Sequence, residues 1–460
     1  MSEGPIAARQ RQRYSDLVGK ADRPFDVERA AVFSPAAPAQ DPAAPKGLYF
    51  RWTPLHLVHE YTDWWHESQA HTQTCYIGDW TAISKIRVHG PDALTFLTQV
   101  GMNDLSQFES GQVKHHVQLD EDGRVAAEGV LYRAGDDDFV YTGGTGSWTT
   151  WRFGLGDWDA QIEDIAAEMY IFEIQGPTSL FVLEAATGED LRDIAFNRSR
   201  MARVAERDVR VLRTGISGEL GYELHGPADD AAAVWAAVAE AGAAHGIRQL
   251  GTRSQLVAHI EAGIATVGID YLSSAIVTPG APTMFPASYP LGSFIPTGIH
   301  DYFRYPGELG WGSRGSGRDH DFVGRDALLR LEGGGEPERR LVSLVWNADD
   351  VKSLLTSIYD DGPLPDQMEM PRVVGATFDR VVVTGEDVGV ATSRTFSPTL
   401  GQTISLAVVE HEHAAPGTEV SVVWGRPGTP QRELRAVVSA TPLKPDHRRT
   451  DVRELRSGAS

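Results

Sequence analysis

Cysteine is almost missing from this chain: one residue, Cys75, among 460. A single thiol cannot form an internal disulfide, and it excludes a cysteine-built zinc or iron–sulfur site. Basic residues are scarce beside acidic ones, 42 against 63, for a formal net charge of −21. That sign opposes nucleic acid or an anionic membrane as a general partner, although a local arginine can still meet a small anion. No apolar run reaches the roughly 18 residues that a membrane span needs. The opening segment, MSEGPIAARQRQRYSDLVGK, lacks the apolar stretch of a signal peptide, so a cytoplasmic location is expected. Nucleotide loops are missing too. GGTGSW (143–148) and GSRGSG (312–317) do not fit GxGxxG after a strand, and no GxxxxGK[ST] occurs.

What is present reads as a multi-domain globular chain. Residues 34–46, SPAAPAQDPAAPK, form an irregular connector after a polar, helix-like arm. LHLVHEYTDWWHESQ predicts a short helix. RVHGPDALTFL reads as strand, Gly90-Pro91 turn, helix; EIQGPTSLFVL repeats the unit at Gly176-Pro177, which suggests a duplicated α+β module. VKHHVQLDEDGRVAAEGVLYR is a hairpin around Asp122-Gly123. In RTGISGELGYELHG, four glycines (Gly215, Gly218, Gly221 and Gly226) surround Glu219 and Glu223. Either this is a bulged hairpin, or a strand there presents a carboxylate to a ligand at close range. IRQLGTRSQLVAHIEAG reads as loop, then a helix stopped by Gly263. GGGEPERR breaks the chain; beyond it, short alternating strands predict a small all-β domain. The charged tail beyond Lys444 is expected to fray.

Some residues carry two readings. Arg248 and Arg253 flank a glycine loop that opens a helix, which suits a carboxylate or phosphate, or they face solvent. Trp80 beside Asp79 stacks on a flat ligand or belongs to a core. His59, Asp63 and His66 share a possible helix, and His411 and His413 a strand face; neither group has a third strong ligand nearby, so no metal site is expected.

The array EGVLYR, FEIQGP, RTGISGELGYELHGP, GTRSQLVAHIEAG, DYFRYPGELGWG and DHDFVGRDALLRLEG resembles the aminomethyltransferase superfamily. These are tetrahydrofolate-binding relatives of the glycine cleavage T-protein. The resemblance covers about Gln73 to Pro442. HDFVGRDAL and LVWNADD look most like the bacterial tetrahydrofolate-dependent aryl O-demethylases and demethylenases that act on vanillate, syringate or sesamin. The resemblance implies an α+β fold, a three-domain cloverleaf of two α+β domains and a small C-terminal β-barrel, with folate in a central opening. It implies an arm and linker at 1–46, a folate-binding α+β region at 47–335, a barrel at 340–445 and a tail at 446–460. It implies tetrahydrofolate as cofactor, with Glu223 accepting paired N–H donors from the pterin edge. Gln175, Glu173, Glu128, Arg253 and Ile264 are the other expected cofactor contacts.

This chain departs from the vanillate-type pattern. An arginine that clamps the substrate carboxylate is replaced by Gly144, a proton-transfer tyrosine by Gln255, and a pocket histidine by Ala82. With Trp80, Gly144 and Ala82 form the expected substrate pocket. A buried carboxylate left unpaired there is costly, so a neutral aryl ether is expected. Glutamine cannot be a general acid, which leaves His259, Asp79 or a water between them beside Gln255 as the catalytic group. A methylenedioxy carbon lies between two oxygens, and the second stabilises positive charge as the first leaves. Methylene transfer therefore fits the lost residues at least as well as methyl transfer. Two alternatives remain. A methoxylated aromatic acid is one. A non-catalytic folate-binding assembly protein is the other, although HDFVGRDAL has no cysteine where such proteins carry one. Glycine cleavage itself needs an aspartate pair where this chain has Ala127 beside Glu128.

Overall fold

The computed structural model describes residues 32–40, 49–52, 55–282, 290–312, 320–332, 337–369 and 376–456. The expected N-terminal arm and most of GSRGSG lie outside the described residues. The chain forms two compact units: residues 1–85, 164–255 and 447–460 make the first, and 86–163 and 256–446 the second.

The first unit is built on a six-stranded sheet. Its order is Ser199–Val204, Arg207–Leu212, Gly221–Pro227, Met169–Gln175, Cys75–Asp79, Ile247–Leu250. All neighbours run antiparallel except the last pair, which is parallel. Successive strand residues point to opposite faces. In MYIFEIQ this sends Tyr170, Phe172 and Ile174 into an apolar core with Cys75, Ile77, Tyr222 and Leu224. Helices Ser179–Thr187 and Ala231–Gly242 cover that face with Leu180, Leu183, Val234, Trp235 and Val238.

Three expectations are corrected here. IRQL is not a loop: it pairs with Cys75–Asp79 as a short edge strand. LHLV is strand Leu55–Val58, and the helix starts only at Trp64, where Asp63 caps the His66 N–H. The tail does not fray. Val452 is buried in the first core, His447 Nδ1 lies 2.8 Å from Glu219 Oε2, and Arg192 Nη1 donates to the carbonyl of Leu455 at 2.7 Å.

The second unit holds a five-stranded sheet ordered Val113–Leu119, Val125–Gly135, Asp138–Gly143, Ser84–His89, Gln161–Asp164. It also holds a closed six-stranded barrel, Arg339–Trp346 through Arg432–Ser439, around Leu344, Val381, Ala407, Val422 and Val438. Helix Ala348–Thr356 was not foreseen; Asn347 caps it through the Asp349 and Asp350 N–H groups. His411 and His413 sit in a 3₁₀ turn rather than on a strand. The duplicated strand–turn–helix is present once in each unit: Ser84–His89 to Ala93–Val100 and Met169–Gln175 to Ser179–Thr187. Gly90 (φ 121°) and Gly176 (φ 134°) make the two turns. Among the described residues no helix is long and apolar enough to cross a membrane.

Candidate active site

The face of the first sheet opposite its core is acidic. Register places Glu173 directly across from Glu223. Both are buried, at 3% and 5% exposure, so two carboxylates share one dry surface. Burial first, and the Glu223 charge second, push the Glu173 carboxyl well above its usual range. Two like charges at close range in a dry surface cannot both ionise cheaply, which favours the neutral form of Glu173. Polar neighbours fix both groups. Tyr76 donates to Glu173 Oε2 at 3.2 Å, Gln175 Nε2 donates to the same oxygen at 2.9 Å, and His225 Nε2 lies 2.8 Å from Glu223 Oε2.

The glycines of the hairpin have a specific use here. A Cβ on Gly215 would sit 2.2 Å from Gln175 Nε2, and one on Gly221 2.7 Å from Gln175 Cγ. Their absence lets the loop close over Gln175, whose Oε1 then accepts the Ser217 N–H at 2.9 Å. Trp80 stacks on Tyr76 with centroids 6.2 Å apart, and a Cβ on Gly78 would strike its ring. Ala82 is buried just beyond it.

Asp79 faces the other way. Its strand parity is that of Cys75 and Ile77, and it pairs in register with core Phe172. Its carboxylate accepts from Ser34 and from Gln40 Nε2 (2.7 Å) and the Thr81 N–H (3.0 Å). Arg253 is tied to Glu60 and stacks over Trp64 at 5.3 Å; Arg248 is exposed. Gln255 is buried, and its Oε1 has no hydrogen-bond partner among the described residues.

In the second unit Glu128 Oε2 lies 2.9 Å from His115 Nε2. The His115 ring meets Trp311 edge-on at 4.8 Å, and Trp311 meets Tyr271. Burial, then the Glu128 charge, holds the Tyr271 phenol well above its ordinary range, and its hydroxyl has no partner. His259 bonds Thr266 Oγ1 through Nδ1 at 3.1 Å, and burial pushes it down to about 4, so it is neutral at pH 7. Ile264 closes the His259 helix by donating its N–H to the His259 carbonyl after left-handed Gly263. Gly144 packs against Val267, where a Cβ would meet its side chain at 3.0 Å.

Comparison with known proteins decides the family. The GCVT N-terminal domain matches residues 27–278, and the glycine cleavage T-protein C-terminal barrel domain matches 339–443. The chain belongs to the glycine cleavage T-protein family. It is 35% identical to a sesamin methylene transferase from Sinomonas sp. (strain No.22), over 83% of this chain and 89% of that one. It is 29% identical to a syringate O-demethylase from Sphingobium sp., again over 83% and 89%. An aminomethyltransferase T from Bartonella henselae shares the fold, with a TM-score of 0.68 at 17% identity over 90% of this chain and 98% of that one.

T-protein family members are enzymes that use tetrahydrofolate as the one-carbon acceptor, and this chain is one of them. Its donor set fits that cofactor. Two buried carboxyl groups side by side, with Glu173 shifted toward its neutral form, can offer both a donor and acceptors to a planar aminopyrimidine edge. His225, Tyr76, His115 and Tyr271 went unnoticed in the sequence. The only available signal was parity with Glu223, Glu173 and Glu128 in paired strands.

Proposed function

We propose that this enzyme moves a one-carbon unit from a neutral aryl ether to tetrahydrofolate, releasing a phenol or catechol. Methylene transfer from a methylenedioxyphenyl ring of the sesamin type is the favoured form. The observation that carries the folate reading is the buried cross-strand pair Glu173 and Glu223. When bound, tetrahydrofolate supplies the nitrogen that accepts the carbon. The chain's part is to bind, orient and manage protons. Glu223, held by His225, accepts N–H donors; Glu173, shifted by burial toward its neutral form, can donate a hydrogen bond; Gln175 braces Glu173. Glu128 and Ile264 are proposed as further cofactor contacts. Arg253 supports the same region indirectly, since Glu60 already neutralises it.

The preference for methylene over methyl transfer rests on the three groups expected to act as the acid. His259 is neutral, Gln255 cannot ionise, and Asp79 is an acceptor already engaged by three donors. A reaction in which a neighbouring oxygen stabilises the departing carbon demands less from such an acid. The orphaned Gln255 Oε1 suits an O–H or N–H donor of the bound molecules. Trp80, Ala82 and Gly144 are proposed to line the aryl ether's pocket. The likeness to a sesamin methylene transferase at 35% identity favours the sesamin-type substrate over a methoxylated acid.

The test is anaerobic incubation with tetrahydrofolate and vanillate, a neutral methoxyphenol or sesamin, with mass spectrometry of the folate. Methylene-tetrahydrofolate with a new catechol supports the reading. Methyl-tetrahydrofolate makes the enzyme an O-demethylase, and turnover of vanillate alone overturns the neutral substrate. Because the favoured reaction demands little from an acid, His259→Ala should keep kcat within about tenfold and leave folate affinity unchanged; a loss of orders of magnitude would put His259 in the mechanism and favour methyl transfer.

A further inference from the structure

The second unit contains a small, mostly apolar cleft at the start of helix Gly146–Phe153. Thr145, Ser147, Trp148, Ser273, Ala275 and Ile276 line it. Its free volume is about 10 Å³, room for one oxygen-sized group and not for a ring. Among the described residues, Ser147 Oγ and Trp148 Nε1 lack a hydrogen-bond partner, while the Thr145 hydroxyl has Tyr141 beside it. Trp148 is only 1% exposed, so water at the surface does not serve it. An indole N–H can only donate, so what it lacks is an acceptor.

We propose that this cleft is a recognition subsite for a neutral oxygen acceptor, an ether or hydroxyl oxygen on the aryl ether remote from the transferred carbon. The proposal rests on the one-carbon transferase reading above. Trp148 Nε1 is the principal donor, with Ser147 and Thr145 beside it. Ala126, Ala127 and Ala275 pack around the indole and fix its place. Ser273 is already used: it donates to the Ala126 carbonyl at 2.5 Å, tying the cleft wall to the strand that carries Glu128. Arg152 lies 4.5 Å from the Trp148 ring centroid, and a cation over the ring face draws density from the N–H and strengthens it as a donor. Arg152 Nη1 donates to Glu121 at 2.7 Å, so its charge is already paired, which favours a neutral acceptor over a carboxylate. Its Nε and Nη2 remain without partners, and this makes an anionic acceptor the rival to separate.

Calorimetry on the full chain without folate needs no turnover. The ligands are piperonyl alcohol, its deoxy analogue with a methyl in place of the hydroxymethyl, and piperonylate. Wild type is expected to bind the alcohol about tenfold tighter than the deoxy compound, the scale of one good hydrogen bond. Trp148→Phe should abolish that gap while binding the deoxy compound as wild type does. Ser147→Ala should narrow the gap by about threefold, and it carries the test if Trp148→Phe does not fold. Three results overturn the proposal: no gap in wild type, as when an ordered water satisfies the donors; a gap unchanged in the variants; or piperonylate binding tightest and losing that advantage in Arg152→Gln. Turnover of the deoxy compound in the folate product assay supports the transferase reading whatever the gap, so the two ideas fail separately.

Discussion

Glu173 and Glu223 look alike in sequence and differ in surroundings. Burial and its neighbour push Glu173 toward its neutral form, so an amide can stand in for it. Glu173→Gln is therefore expected to keep tetrahydrofolate affinity within about threefold. Glu223→Gln removes a charge-assisted acceptor and should weaken it by about ten- to a hundredfold. Equal losses in equilibrium titrations of the two variants would argue against a neutral Glu173. A second residue-scale prediction concerns His116. It is fully buried, with Nε2 3.0 Å from the Leu97 carbonyl, and burial pushes it down to about 4. The unfolded chain takes up a proton near pH 6.5 that the folded one refuses until about 4, so stability drops as pH falls through that window. Between pH 7 and 5 the loss is about 2 kcal/mol. Denaturant titrations of His116→Gln should show that much less pH dependence. At this scale the tight glycine-rich hairpin was legible, because Gly215 and Gly221 leave no room for a Cβ beside Gln175. The aim of Asp79 was not, because a one-residue shift in where its strand begins reverses which face it takes.

The strand–Gly-Pro–helix unit was legible because its cause is local. Gly176 has φ 134°, and a Cβ there would stand 2.4 Å from the Thr74 carbonyl oxygen. Gly188 is also left-handed, at φ 69°, yet nothing lies within 4 Å of its missing Cβ. Gly176→Ala is predicted to cost about 3 kcal/mol or more and Gly188→Ala about 1 kcal/mol, read from thermal or denaturant unfolding. Similar costs would mean that strain alone, and not crowding, sets the turn. Elements whose cause is distant were missed. IRQL becomes a strand because Cys75–Asp79 offers it a free edge, which its own four residues do not announce. Helix Ala348–Thr356 has its signal in NADD, where Asn347 caps two N–H groups, but the surrounding β texture masks it.

Family, cofactor class and the barrel at the C-terminal side were readable across the whole chain from motif order, while the docked tail was not. Charge suggested a loose end; two apolar residues, Val452 and Leu455, and carbonyls that meet Arg192 and Arg213 hold it. Ending the chain at Asp446 should expose part of the first core and leave those two arginines short of acceptors, at a cost of about 3 kcal/mol or more. Hydrogen exchange should then speed up in Arg207–Leu212 and Met169–Gln175, and unchanged protection would show the tail to be ornamental. Because the first unit is assembled from three separated stretches, it cannot finish folding in the order in which it is made. On the ribosome its sheet strands emerge early, then wait while residues 256–446 are synthesised, an interval of roughly ten to forty seconds at bacterial speeds. During that interval the place reserved for Val452 is open apolar surface, and the nascent protein is at its most vulnerable to capture by chaperones or to aggregation.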